Sequence, residues 1–194
     1  EVRILREARP HAGLDGRNRC ALKRQLVEEE VLQDLVGVDG VQQLRGVFTA
    51  WEHRYLEVDY IPGATLTSWM VRNTHLQETD PAEYARQVVA IVEQLIGVVE
   101  KIHQRGWAFG DLHPGNVLVS DDGTVTMLDL EDASRLDSKR ELGVRVFEYC
   151  ADETADAGQA DWFAVARCIM MLYCSDFEIE AVSPAFWERC RRRV

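Results

Sequence analysis

Apolar and polar residues alternate over EVRILREA, with Val2 and Ile4 set against Arg3, Leu5 and Arg6. Period two predicts a strand over 1–8, and HAGLDGRN follows as a loop. In CALKRQLVEEEVLQDLVG the period becomes helical: Leu22, Leu26, Val27, Val31, Leu32 and Leu35 recur, and Gly37 stops the run. Strands are predicted over 41–50 and 55–60. Pro62 and Gly63 then break the pattern, so 61–64 reads as a hinge between two lobes. A short helix is predicted over 67–73. The strongest helical signal lies over 81–105, where Val88, Ile91, Val92, Leu95, Val98, Val99 and Ile102 make one apolar face and Gly106 falls at the C-cap. Two short apolar runs, 117–120 and 125–128, are joined by DDG and predict a hairpin. A polar stretch leads to ADWFAVARCIMMLY, a helix buried on most sides. Strand-rich sequence thus precedes helix-rich sequence, an α+β pattern, with no internal repeat and no low-complexity segment.

Composition narrows the function classes. The chain has 194 residues and 46% hydrophobic content, enough for one domain or two small lobes with a real core. A net charge of -11 argues against a nucleic-acid partner, which would require a basic face. Local phosphate binding stays open to an acidic protein, through metal ions and backbone N–H groups. Cys20, Cys150, Cys168, Cys174 and Cys190 are odd in number and form no CxxC pair. They suit neither a disulfide framework nor a zinc cluster, and fit a reducing cytosol. No apolar run reaches membrane-spanning length and no signal peptide is visible. The chain opens at Glu1 without Met and ends in RCRRRV. It reads as an excerpt of a longer protein with its N-terminal border inside a domain.

The candidate chemistry sits in GDLHPGNVLVSDDGTVTMLDLEDA. Asp111 lies on a loop between a helix and a strand, Asn116 enters that strand, and Asp129 closes the second strand of the hairpin. Asp and Asn supply oxygen ligands suited to Mg²⁺, which takes its remaining ligands from water and phosphate. A further carboxylate beside such a pair suggests metal-bound nucleotide with a base next to it. Phosphoryl transfer needs mainly positioning and charge stabilisation, so few side chains suffice.

GDLHPGN resembles the catalytic loop of the protein-kinase-like superfamily, H-R-D-L-x-x-x-N, with the Asp-to-Asn spacing matched by Asp111 and Asn116. LDLED stands where D-F-G would fall, with Leu130 and Glu131 replacing Phe and Gly. DYIPGATL resembles the linker between lobes. ADWFAV resembles the start of the long buried helix, and its Asp161 would bind the backbone of the catalytic loop. Ala151–Glu153 (ADE) is a worn likeness of A-P-E. The resemblance implies a bilobal fold: a small β-rich N-lobe, truncated at its start, over 1–61, and a larger helical C-lobe over 62–194. REARPHAGLDG, GVDGVQ, the GDLHPGNVLV loop, the acidic LDLEDA and ADWFAVARCIMMLY together look like the kinase domain of class III or class IV lanthipeptide synthetases. Those are bacterial multidomain enzymes, in which a lyase precedes the kinase and a cyclase follows it. The resemblance implies cytoplasmic phosphorylation of Ser and Thr in a ribosomal precursor peptide, leader and core, with Mg²⁺ and ATP or GTP.

The same resemblance assigns roles. Asp111 would accept or orient the proton of the attacking hydroxyl. Asn116 and Asp129 would hold Mg²⁺ across the nucleotide phosphates. His113 occupies the place of a Lys near the γ-phosphate. Arg6 would stand for the phosphate-binding Lys and Glu28 for its partner on the following helix; Arg grips phosphate with a different geometry from Lys. Val58 would be the gatekeeper beside adenine, Asp59 and Ile61 would offer backbone C=O and N–H to its edge, and Leu118 would floor the pocket. No glycine-rich loop precedes Arg6 in this sequence.

Plainer readings stand beside these. An Asp before a strand is often a turn or capping residue. His113 either reaches phosphate or supports its loop through backbone bonds. Glu131 is a third metal carboxylate or a solvated charge. The register among Glu28, Glu29 and Glu30 is open, since charge runs usually mark a solvated face. Arg6 could be an edge-strand surface residue. Cys168, Met170 and Met171 are core packing, and RCRRRV is a solvated end. Three functions compete: an active peptide kinase; a pseudokinase-like nucleotide or peptide docking module, suggested by Arg6, LDLED and the missing glycine loop; and a small-molecule phosphotransferase of the aminoglycoside or choline type, whose loop GDLHPGN also resembles. ADWFAV weighs against the last. Asp111, Asn116 and Asp129 are all retained, which favours the active kinase.

Overall fold

The computed structural model of the chain describes residues 2–138, 146–152 and 154–173. Glu153 of the ADE triplet, Cys174, Cys190 and the RCRRRV end lie outside the described residues.

The first strand, β1 (Arg3–Ala8), is followed by helix α1 (Ala21–Asp34) and the hairpin of β2 (Leu44–Ala50) and β3 (His53–Asp59). The three strands form an antiparallel sheet in the order β1-β3-β2, with Ile4 and Leu44 both opposite Val58 and Arg6 opposite Leu56. The central strand explains the order. Leu56 and Val58 are fully buried, while Val2, Ile4 and Leu5 of the outer segment stay exposed.

The buried face of α1 differs from the stripe read off the sequence. It carries Gln25, Glu28, Val31 and Leu32, and Leu26 is 46% exposed. Polar side chains can take core positions only with partners, and both have them. Gln25 donates to the Arg6 carbonyl at 2.8 Å, and Glu28 pairs with the Arg6 guanidinium. The predicted strand over 41–50 begins only at Leu44; residues 40–42 instead run parallel to a later strand, with a bridge between Val41 and Met127.

The second part of the chain begins with the two-residue strand β4 (Ala64–Thr65), then α2 (Leu66–Thr79) and α3 (Pro81–Gln104). Helix α2 is about twice the predicted 67–73. Its later turns are polar, so hydrophobic period does not mark them, but Thr74 and Thr79 donate to the carbonyls of Met70 and His75. Thr65 caps α2 through Ser68 N at 3.3 Å, and Asp80 caps α3 through Glu83 N at 3.0 Å, with Pro81 in the first turn. Strands β5 (Trp107–Ala108), β6 (Val117–Val119), β7 (Val125–Met127) and β8 (Ser134–Arg135) precede the last helix, α4 (Ala157–Tyr173). The β6–β7 hairpin joins β4 in one sheet, and β5 pairs with β8 in another. The two-residue strands are too short for period to reveal.

One continuous apolar cluster runs through the molecule, from Leu32, Leu56 and Val58 through Leu95 and Ile102 to Phe109, Leu130 and Leu172. Helix α3 is its axis; the seven residues Tyr84, Val88, Ile91, Leu95, Val98, Val99 and Ile102 are all buried. No helix among the described residues is long and apolar enough to cross a membrane.

The segment between the sheet and α2 depends on Gly63. Its φ is +150°, and a Cβ there would lie 2.5 Å from the Val119 carbonyl oxygen and 2.9 Å from Leu118 Cδ2. Gly63→Ala is expected to cost about 1–3 kcal/mol, the usual range for a side chain forced into such backbone. Urea unfolding of the two proteins side by side measures it.

Candidate active site

Asp161 is the deepest charged group of the site, 2% exposed, on the first half of α4. Its Oδ2 accepts from Phe109 N at 2.6 Å and its Oδ1 from Gly110 N at 3.0 Å, and His103 Nε2 lies 2.9 Å from Oδ2. These donors satisfy a carboxylate that burial alone would forbid. They also fix the backbone just before Asp111. At Gly110 φ is +92°, and a Cβ there would run into the Asp132 carbonyl, so the chain needs glycine where two segments cross.

The loop then folds back on itself. Asn116 Nδ2 donates to the Asp111 carbonyl at 3.0 Å, which directs the opposite end of that amide, Oδ1, away from the carbonyl. Asn116 O accepts from Leu128 N at 2.8 Å, tying Asn116 to the residue just before Asp129. Asp129 has φ +63°. This left-handed residue ends the hairpin and turns Leu130 into the core, where it is 1% exposed. Asp111, Asn116 and Asp129 are all half-buried. The structure therefore brings together the three residues singled out for proton and metal chemistry. Among the described residues no cluster of three or more His, Cys, Asp or Glu side chains forms a ready metal cage. An Asn–Asp pair fits an Mg²⁺ ion that completes its shell with phosphate and water.

His113 Nδ1 accepts from Gly115 N at 3.0 Å, and Nε2 lies 3.9 Å from Asp111 Oδ2. The ring thus braces its own turn. Of the three glutamates in EEE, Glu28 pairs with Arg6, Glu29 with Arg54 on β3, and Glu30 with Arg135 on β8. Each faces a different part of the molecule because successive helix positions point about 100° apart. Burial raises the Glu28 carboxyl above its ordinary value, Arg6 opposes that, and nearby Asp129 adds to it. Glu131 is pushed up to about 7, first by burial and then by Asp129, with Arg24 of α1 pulling the other way. Asp132 pairs with Arg19.

At the hinge, Val58 is fully buried and Leu118 lies against Gly63. The Asp59 carboxylate is held by Arg3 and by Arg45, the latter at 2.6 Å. Its carbonyl accepts from Gln42 Nε2 at 2.7 Å, which takes one of two lone pairs. Asp59 and Ile61 line an open hollow of about 460 Å³ with Val2, Arg3, Arg45, Tyr60 and Pro62; none of the loop residues lines it. Sequence reasoning did not mark Gln25, Gln42, Arg24 or His103. A lone Gln or His carries no spacing signal.

The family described as protein kinase domain matches residues 14–185, most of the chain. The chain belongs to the protein kinase family. Among its relatives, "Probable SapB synthase" of Streptomyces coelicolor is 34% identical over 139 residues, 69% of this chain and 15% of that protein. The human cAMP-dependent protein kinase catalytic subunit PRKX is 25% identical over 149 residues, 73% of this chain and 38% of its own length. The chain therefore spans well under half of each of these relatives. Such kinases are phosphotransferases that generally use ATP with Mg²⁺. The kinase fold, a β-sheet region followed by a helical part, is the one the sequence predicts.

Two expectations follow for this kinase domain. Asp161→Ala orphans the Phe109 and Gly110 N–H groups and should lower stability by about 3 kcal/mol, read by urea unfolding. Arg6→Met leaves Glu28 buried without its counter-charge and should also cost about 3 kcal/mol. Adding Glu28→Gln to Arg6→Met should restore a large part of that loss, because the stranded acid is gone. A double-mutant cycle measures the coupling.

Proposed function

We propose that this chain is the kinase domain of a lanthipeptide synthetase, with a small lobe over 1–61 and a larger one over 62–194. It transfers the γ-phosphoryl group of ATP or GTP to Ser and Thr hydroxyls of a precursor peptide in the cytoplasm. Companion lyase and cyclase domains of the full-length protein then eliminate phosphate and close thioethers. The observation that carries the kinase reading is the backbone bond from Leu128 N to Asn116 O, which sets Asn116 beside Asp129 at the mouth of the Asp111 loop. The likeness to SapB synthase and the acidic LDLED segment support the narrower assignment.

In this reading Asp111 takes the proton of the attacking hydroxyl as its oxygen bonds to the γ-phosphorus and the bond to the β-phosphate oxygen breaks. Asn116 Oδ1 and the Asp129 carboxylate would hold Mg²⁺, which would supply positive charge against the phosphates. Arg6, oriented by Glu28, holds the phosphates from the opposite side with its planar fork. Val58, Leu118, the Asp59 carbonyl and Ile61 N–H receive the base. The formed Arg6–Glu28 pair supports the kinase reading by directing the guanidinium in the way that phosphate binding requires.

The decisive measurement is the intact mass of the precursor peptide after incubation with the full-length protein, Mg²⁺ and ATP or GTP, in a background whose lyase is inactivated. Phosphate on Ser or Thr is expected with the parent. Asp129→Asn should lower the rate by at least roughly 100-fold, the scale of losing an essential charge-stabilising group. An unmodified peptide under both nucleotides, with the protein folded, would leave a docking module instead.

A further inference from the structure

Gln42 is 4% exposed, and its amide bridges the Arg6 side chain on β1 and the Asp59 carbonyl at the end of β3, adding a side-chain link to the backbone ladder between these strands. Its Oε1 accepts from Arg6 Nη2 at 3.1 Å, and its Nε2 donates to the Asp59 carbonyl at 2.7 Å. The partners fix which way the amide points, because a guanidinium can only donate and a carbonyl can only accept. The backbone of Gln42 is anchored separately. Gln42 N donates to Met127 O at 3.2 Å and Met127 N donates to Gly40 O at 2.7 Å, two residues before Asp129. One residue therefore touches the phosphate-holding arginine, the entry of the hinge and the strand β7 that leads to Asp129.

Residue type matters at this position. Glu28 holds one side of the Arg6 guanidinium and Gln42 another, so two acceptors set its plane. An amide offers an acceptor to Arg6 and a donor to Asp59 at once. Glu would keep the first contact and set an acceptor against an acceptor at the second. Met would fill the space and make neither.

We infer that Gln42 is a positioning residue that holds the base-recognition end and the phosphate-gripping end of the nucleotide site in one frame. The inference rests on the kinase reading above. Through Arg6 it aligns the phosphates, and through the Asp59 carbonyl it sets where the base sits along the hinge.

The test compares parent, Gln42→Met and Gln42→Glu in the full-length protein, with MgATP and the precursor peptide, reading kcat and the KM for ATP. A hydrogen bond to a charged group is worth a factor of roughly 10 or more, and a neutral one roughly 5. Gln42→Met should lower kcat about 10-fold and raise KM about 5-fold. Gln42→Glu retains the Arg6 contact, so kcat should stay within about 3-fold while KM rises about 5-fold. A packing role would lower the folded fraction and reduce the rate without moving KM. Both parameters within about twofold of the parent in either folded variant would overturn the inference and leave the kinase intact. If Gln42→Met does not fold, Gln42→Glu decides alone, and an unchanged KM overturns the inference. A parent that transfers no phosphate overturns the kinase reading and this inference with it.

Discussion

The site depends on one buried carboxylate. Asp161 takes two backbone N–H groups of the chain that enters the Asp111 loop, and it does so from a helix far along the sequence. Without those acceptors, two main-chain donors would be buried and unpaired, which folded proteins avoid. The loop could satisfy them only by moving out to water. That would release Phe109 from the core and carry Asp111 and Asn116 with it, because Asn116 Nδ2 is bonded to the Asp111 carbonyl. His103 on α3 closes the arrangement from the other side, at 2.9 Å, so the carboxylate is held between α3 and α4. The geometry of the loop is thus set by the helical core and not by the loop's own turn chemistry.

Helix α1 is positioned by a different means. Its apolar stripe is incomplete, and its orientation is fixed by polar partners at both ends. Near its start Arg24 meets Glu131; at its middle Glu28 meets Arg6; near its end Glu30 and Asp34 meet Arg135. Trp107 donates to Asp34 Oδ2 at 3.0 Å, and Arg135 stacks over the Trp107 ring at 3.8 Å. Most of these contacts are partly exposed, and each alone is worth little. Together they connect α1 to β1, to the segment after Asp129 and to the β5–β8 pair. The helix that carries Glu28 is therefore tied to segments on both sides of the Asp111 loop, at Trp107 and at Glu131.

What could be read from the sequence follows this division. The long apolar period of α3 and the DDG hairpin were legible because burial on one face writes itself into spacing. Asp111, Asn116 and Asp129 could be marked in the sequence by oxygen-ligand residues at the ends of the loop and hairpin, and Asp161 only through the resemblance of ADWFAV to a kinase helix. The buried face of α1 was not, since Gln25 and Glu28 occupy core positions and Leu26 does not. Period analysis assumes that core positions are apolar, and it fails where buried polar groups have long-range partners. The same reason hid Gln42, whose two side-chain bonds reach residues 36 and 17 positions away. Helix α2 was shortened because capping and Thr back-bonding, not burial, extend it. His113 and the choice among Glu28, Glu29 and Glu30 needed geometry, because only orientation separates their readings.

The charge pattern adds a last step. The chain is strongly acidic, and four acids fall within or beside the Asp129 segment: Glu28, Asp129, Glu131 and Asp132. Three of them are paired with arginines brought from β1, α1 and the loop between these elements: Arg6 with Glu28, Arg24 with Glu131, Arg19 with Asp132. Among the described residues Asp129 makes no ion pair, and its charge raises the carboxyls of both Glu28 and Glu131. Repulsion of this kind is costly in a partly desolvated place, and a cation next to Asp129 relieves it at two neighbours as well as at Asp129 itself. The arginines cannot do this without giving up partners of their own. A metal cation beside Asp129 would add charge where, among the described residues, no ion pair supplies it, while Arg6 stays directed by Glu28 and Gln42. Such an arrangement suits a metal-bound polyphosphate, and it arises in a chain of net charge -11.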